Sequence, residues 1–377
     1  MKKGVMILVT VFLFTFFLGL TAWPADNPPV KIGVVQPLTG QGNDVAKSWL
    51  EGMNLAVDMM NKGGGILGGR KLEMVVEDDQ CIPAQSISAT KKLIYEDKLK
   101  VIMAAMCSSA TIADVPIAKE AGVVQIVSMS YADSITEMGS PLLFRTCSTN
   151  KILADGMAYK MAQEFKIKTL AFYSINDDYG RGQVEQIKTI LEKIGSPKVL
   201  FAGFFEFKDR DFSAPITKMK SLNPEALYLI ARFPQVAQIL NQMAQLGFKP
   251  KLFGPNNLTA DDVIEAAGKN VEGAHGVVNW ANELDTPAAK KYVDAYKAKY
   301  GKLPPDDYVM CGYTGTMVAA MGIDKAGTDQ DPQKIGEALR KLKWDSPNGP
   351  LSFDVKGQAT IKVYVVQVKN GQRVLLK

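Results

Sequence analysis

The chain has 377 residues, 47% of them hydrophobic, with 44 Lys and Arg against 39 Asp and Glu. The formal charge of +5 includes Lys2 and Lys3, so a chain shortened at its start carries about +3. That is too weak for a nucleic-acid partner, and the basic residues are scattered among acids rather than gathered into a stripe. The single His275 and the spacing of Cys81, Cys107, Cys147 and Cys311 offer no usual zinc or haem set. There is no P-loop, no nucleophile elbow and no H-E-x-x-H, so an enzyme would have few candidate groups, and no metal or cofactor is expected.

Lys2 and Lys3 precede an uncharged apolar run, Val5 to Leu20, and then small residues around Ala22 and Ala25. This is the layout of a secretory signal peptide, cleaved near residues 22–25, and it places the mature protein outside the cytoplasm. An uncleaved anchor is the alternative. In an exported chain an even cysteine count admits disulfides, with three pairings open. About 350 mature residues exceed one compact core and suit two lobes.

Beyond the leader, short apolar runs alternate with longer amphipathic ones. "KIGVVQPL" reads as a strand, and residues 46–62 as a helix with Trp49, Met53, Ala56, Val57 and Met60 on one face. "KLEMVVED", "VIMAAM", "VVQIVS" and "LLFRT" continue as strands with helices between, and "EDD" at Glu77–Asp79 reads as a solvated turn. The pattern restarts at "KTLAFYS" and runs to "GAHGVVN". Two successive strand–helix series predict an α/β protein with two Rossmann-like lobes and parallel-rich sheets. A helix-rich segment follows, and the chain ends in a hairpin-like pair with Gly357 and Asn370-Gly371 as turn signals.

Gly63, Gly65 and Gly68 satisfy G-x-G-x-x-G, the dinucleotide pattern. A pyrophosphate site needs the glycines after a strand and before a helix; here they follow a helix and precede a strand. A helix C-cap and tight turn is the better reading.

"KIGVVQPLTG", "NLAVDMMNKGGGILGGRKLEMVVEDDQC", "CSSATIA", "NDDYGRG", "LFGPNN" and "NGPLSFDVKGQ" occur in this order. Together they resemble the periplasmic solute-binding proteins of branched-chain amino-acid ABC transporters, along essentially the whole mature chain. The resemblance implies a non-enzymatic module that captures a small molecule between two lobes and delivers it to membrane permease subunits. It implies type I architecture with a three-crossover hinge, a monomer, and closure around the ligand. By position the lobes fall at 26–148 plus 279–352 and at 149–278 plus 353–377, after a signal peptide at 1–25. A disulfide is implied between Cys81 and Cys107, while Cys147 and Cys311 either pair near the hinge or remain separate thiols.

The resemblance also implies the ligand set. Ser108 and Ser109 match the carboxylate-binding stretch, and Ser108 opens a helix, where amides and dipole favour an anion. Met129, Ser130 and Tyr131 match the second ligand-facing segment, with a phenol at Tyr131 in place of a small hydroxyl residue. Tyr179 matches the second-lobe tyrosine, and Trp49 is a further aromatic wall. Asn256 stands where amino-acid binders carry a Glu that neutralises the ligand ammonium. Arg232 stands where they carry an aromatic, unless Phe233 takes the pocket and Arg232 the rim. The expected ligand is thus a small carboxylate, aromatic or another organic acid, rather than a simple aliphatic amino acid. Amino-acid binding, and sensing with the same fold, are the alternatives.

Overall fold

The computed structural model describes residues 27–376, and the expected signal peptide lies outside the described residues. Among the described residues no helix is long and apolar enough to cross a membrane.

The first series comprises β1 (Val30–Gln36), α1 (Asn43–Lys62), β2 (Leu72–Asp78), α2 (Pro83–Lys91), β3 (Val101–Met103) and α3 (Ser108–Ala121). It continues through β4 (Val124–Val127), α4 (Ser134–Glu137), β5 (Leu143–Arg145) and α5 (Asn150–Tyr159). The second series runs β6 (Thr169–Ile175), α6 (Asp178–Ile194), β7 (Lys198–Phe205), α7 (Ser213–Leu222), β8 (Ala226–Ile230) and α8 (Gln235–Gln245). It closes with β9 (Lys251–Pro255), α9 (Asp261–Ala267) and β10 (His275–Val278). Then come α10 (Pro287–Tyr300), α11 (Asp307–Ala326), α12 (Pro332–Arg340) and a small ribbon, β11 (Trp344–Ser346) with β12 (Gly349–Leu351). The chain finishes on β13 (Tyr364–Lys369) and β14 (Gln372–Leu375), which turn at Asn370-Gly371, both with positive φ.

One sheet has the order β2-β1-β3-β4-β5, all parallel. The other repeats that order as β7-β6-β8-β9-β10 and adds β13 and β14 antiparallel beyond β10. The inner strands β4 and β8 are buried at every position, as strands covered by helices on both faces must be. In this doubly wound order the winding reverses between β1 and β3, and again between β6 and β8. The crevice for a ligand opens there, beyond the carboxyl ends of the strands.

The chain crosses from the first sheet to the second after β5 and leaves the second after β10. α11 then packs against α1 so closely that a Cβ at Gly52 or Gly312 would collide with the Val309 or Trp49 carbonyl oxygen. The crossing segments touch where Asn279 Oδ1 accepts Ser148 N at 3.2 Å. Gly357 takes a positive φ in a tight turn that sets Phe353 antiparallel to Ala359, ahead of β13, and its carbonyl accepts Arg145 N at 2.7 Å, docking that turn on β5.

The glycine stretch is a turn. Gly63 caps α1, Gly64, Gly65, Gly68 and Gly69 take positive φ, and Ile66 bridges Arg70 before β2 begins. Asn61 fastens it by bonding both the N–H and the carbonyl of Leu72. Cys81 and Cys107 form the implied disulfide, Cα atoms 5.5 Å apart and 26 residues apart in sequence. Closing such a loop stabilises by roughly 3–4 kcal/mol in the chain-entropy account. Cys147 and Cys311 are unpaired and buried. His275 is structural, stacked on Phe253 at 5.0 Å between ring centroids.

Candidate functional site

A cleft between the lobes is lined by Val45, Met106, Ser108, Met129, Tyr131, Tyr179, Arg232, Asn257 and Tyr308. Most of these follow the carboxyl end of a strand: β1 for Val45, β3 for Met106 and Ser108, β4 for Met129 and Tyr131. Tyr179, Arg232 and Asn257 follow β6, β8 and β9 in the same way. The lobes meet over it, and the space left is about 30 Å³, room for two or three waters.

Ser108 is the first residue of α3 and is 3% exposed. Its Oγ accepts Tyr131 N and Ala132 N, each at 3.2 Å. A serine hydroxyl has two acceptor sites and one proton, so Ser108 is left as a donor at a helix N-terminus with its own unpaired amides. Arg145, fully buried, fixes the loop after β4 by donating to Ala132 O at 2.6 Å and Thr136 Oγ1 at 2.8 Å.

On the facing lobe, Asp177 caps α6 by accepting Gly180 N at 2.8 Å, and its other oxygen accepts Arg232 Nη2 at 2.7 Å. The Arg232 guanidinium lies 5.8 Å from the Tyr179 ring centroid. The Tyr179 and Tyr131 rings are likewise 5.8 Å apart across the cleft. Arg232 Nε and the Tyr179 and Tyr308 hydroxyls are buried without partners. Burial pushes the pKa of both phenols up, so they stay neutral and able to donate.

Of the residues singled out from sequence, Ser108, Met129, Tyr131, Tyr179 and Arg232 line the cleft. Phe233 is partly buried, packs against the core and is not among the residues that line the cleft. Four others do not line it. Trp49 is fully buried between α1 and α11, where its Nε1 donates to Ser128 Oγ at 2.9 Å. Ser130 bonds inward to Thr111 Oγ1, Ala105 O and Met106 O, tying the β3 and β4 loops together. Ser109 is half-buried on α3, one residue past the helix-opening position. Asn256 begins a 3₁₀ turn that rotates it behind the wall and leaves Asn257 on the cleft.

Asn256 Nδ2 reaches Tyr131 Oη at 3.3 Å and Asp307 Oδ1 at 3.1 Å. Asp307 Oδ2 accepts Asn279 N at 2.7 Å and Asn279 Nδ2 at 3.0 Å. Burial pushes the Asp307 pKa up, and these amide donors pull it back. Asp307 and Tyr308 open α11, more than 170 residues beyond Tyr131. Their only sequence signal was a pair of acids after Pro304-Pro305, opening an otherwise apolar helix. The "EDD" run also differs from its solvated reading: Asp78 bonds Thr39, but Asp79 is fully buried.

A family profile described as periplasmic binding protein matches residues 29–373. A Pseudomonas aeruginosa protein described as a leucine-, isoleucine-, valine-, threonine- and alanine-binding protein is 31% identical over 357 residues. That match spans 95% of this chain and 94% of the relative. The crystal structure of a Thermotoga maritima leucine-binding protein superposes with a TM-score of 0.85 at 29% identity, covering 92% of this chain and 98% of its own. A solute-binding protein of an ABC transporter from R. palustris, in complex with benzoate, also superposes with a TM-score of 0.85. It covers 92% of this chain and 95% of its own, and at 24% identity it speaks for the fold alone. These relatives bind solutes rather than catalyse reactions. The chain belongs to the periplasmic binding protein family, with the two-lobed type I fold of ABC-transporter solute-binding proteins.

Proposed function

We propose that this protein, exported and freed of residues 1–25, captures a small carboxylate lacking a free α-ammonium, an aromatic or other organic acid. It then presents that acid to the permease subunits of an ABC importer. The proposed moving bodies are 26–148 with 279–352 and 149–278 with 353–377.

One observation carries the choice of solute. The cleft's charged and hydroxyl side chains leave four unpaired donors, the Ser108 proton, Arg232 Nε, and the Tyr179 and Tyr308 hydroxyls, and although the two phenols also accept, none of the four carries a negative charge. No Asp or Glu is among the residues that line the cleft. Donors converging with a helix N-terminus suit a carboxylate, while an ammonium would enter without an anion to offset its desolvation. Tyr131, Tyr179 and Tyr308 supply aromatic walls.

A thermal-shift screen of acids and amino acids tests this. A solute at 100 times its Kd stabilises the protein by about 2.7 kcal/mol, a shift that a melting curve resolves. The response is expected from carboxylic acids without an amino group; a response confined to amino acids contradicts the reading. A second reading, amino-acid binding, is favoured by the Pseudomonas aeruginosa relative and its described ligands. Under it, Asn257 and backbone carbonyls at the cleft wall would receive the ammonium.

A further inference from the structure

The ring of Tyr131 forms part of the cleft wall, and its hydroxyl reaches away from the cleft. The hydroxyl oxygen lies 3.3 Å from Asn256 Nδ2 and 3.4 Å from Asn279 Nδ2. The same two amides hold Asp307, at 3.1 Å and 3.0 Å. Asp307 is completely buried and is not among the cleft residues, although its neighbour Tyr308 is. No ion pair engages it among the described residues. A carboxylate held by amides, with the Arg373 charge near it but not in contact, therefore lies just beyond one phenol from the space a solute would occupy.

We infer that Tyr131 is a specificity-determining residue, whose phenol screens Asp307 from the cleft and so excludes solutes carrying an ammonium. The inference rests on the proposed reading of the solute as an acid without an amino group. With the phenol in place, an ammonium meets a ring and neutral amides, which do not offset the loss of its hydration as a carboxylate does. A ring face attracts a cation, but more weakly than a paired, hydrogen-bonded carboxylate. Cutting the side chain back to Cβ and a hydroxyl opens a channel of one ring's length, ending at Asp307 and two amides that have lost their phenolic acceptor. The Asp307 carboxylate, with an acceptor site still open on Oδ1, then receives the –NH₃⁺ of an α-amino acid whose carboxylate sits at Ser108, and the freed amide hydrogens turn aside.

The test compares leucine with 4-methylpentanoate, which is leucine without its amino group. Both are titrated calorimetrically into the wild type, Y131F, Y131S, Y131T and the double variant Y131S/D307N. The ratio of leucine affinity to 4-methylpentanoate affinity is expected to rise tenfold or more in Y131S and Y131T. It should stay within threefold of wild type in Y131F, which keeps the ring, and the gain should vanish in Y131S/D307N. An unchanged ratio in a cooperatively melting Y131S or Y131T overturns the inference, as does absent leucine binding. A gain that survives removal of the Asp307 charge overturns it as well. If neither small variant folds, Tyr131 belongs to stability and the inference also falls. The wild-type leucine titration decides the reading of the solute separately, because the inference turns on the change on substitution and its dependence on Asp307.

Discussion

Arg232 combines three features that seldom coincide on one side chain. It is 8% exposed, its Nη2 is committed to Asp177, and its Nε–H is buried without an acceptor. A buried donor left open costs stability unless a bound group takes it up, so this N–H defines where an acceptor belongs. Asp177 fixes the plane of the guanidinium, and the adjacent Tyr179 ring stacks near it. Replacing Arg232 by Ala should weaken binding of the best acid from the screen at least tenfold by calorimetry. Arg232→Lys should not restore it, since an ammonium cannot pair with Asp177 and keep a second donor in the same plane. Retained affinity in Arg232→Ala would remove Arg232 from the site. Ser108 and Tyr179, named through the resemblance, line the cleft because the doubly wound topology aims positions directly after strand ends at the crevice. Trp49 was misread because a helical stripe shows which face is buried, not what buries it, and here that is α11. Asn257 rather than Asn256 lines the cleft, because a 3₁₀ turn changes which of two adjacent side chains faces it.

At the scale of elements, β2 and α3 share a buried acidic pair next to the disulfide. Asp79 directly follows β2, Asp114 lies in the middle of α3, and both are fully buried. Ser86 Oγ donates to Asp114 at 2.7 Å, while Asp79 Oδ2 and Asp114 Oδ1 have no partners. Burial first, and after it the charge of Asp78 on Asp79 and of Asp79 on Asp114, push Asp79 up to about 6 and Asp114 up to about 7. In the unfolded chain both titrate near about 4. Between these values the folded protein holds protons that the unfolded chain has released. Stability from this source therefore falls as pH rises from about 4 to 7, by up to about 1.4 kcal/mol per pH unit for each extra proton. Urea unfolding at pH 5 and pH 8 should show a smaller loss in Asp114→Asn than in wild type, by 1 kcal/mol or more. Identical losses would contradict it. The elements themselves were readable, since alternating apolar runs specify strands and helices and their order specifies parallel sheets. The pairing of Asp79 with Asp114 was not, because a run of three acids at a strand end looks the same whether its last member faces water or α3.

For the whole molecule, the same doubly wound order occurs twice, and the two crevices face each other over a cleft now nearly filled by side chains. Asn256 contributes to holding the lobes together, bonding Tyr131 and Asp307 across the divide. A solute enters only if the lobes part, and its binding energy must exceed that of the contacts it replaces. The account's central claim is that this cleft selects a carboxylate and rejects an ammonium. Its most direct test is a pair of calorimetric titrations of the wild-type protein, 4-methylpentanoate against leucine under identical conditions. The account predicts that the acid without the amino group binds at least tenfold more tightly. Leucine binding at micromolar affinity or tighter would contradict it.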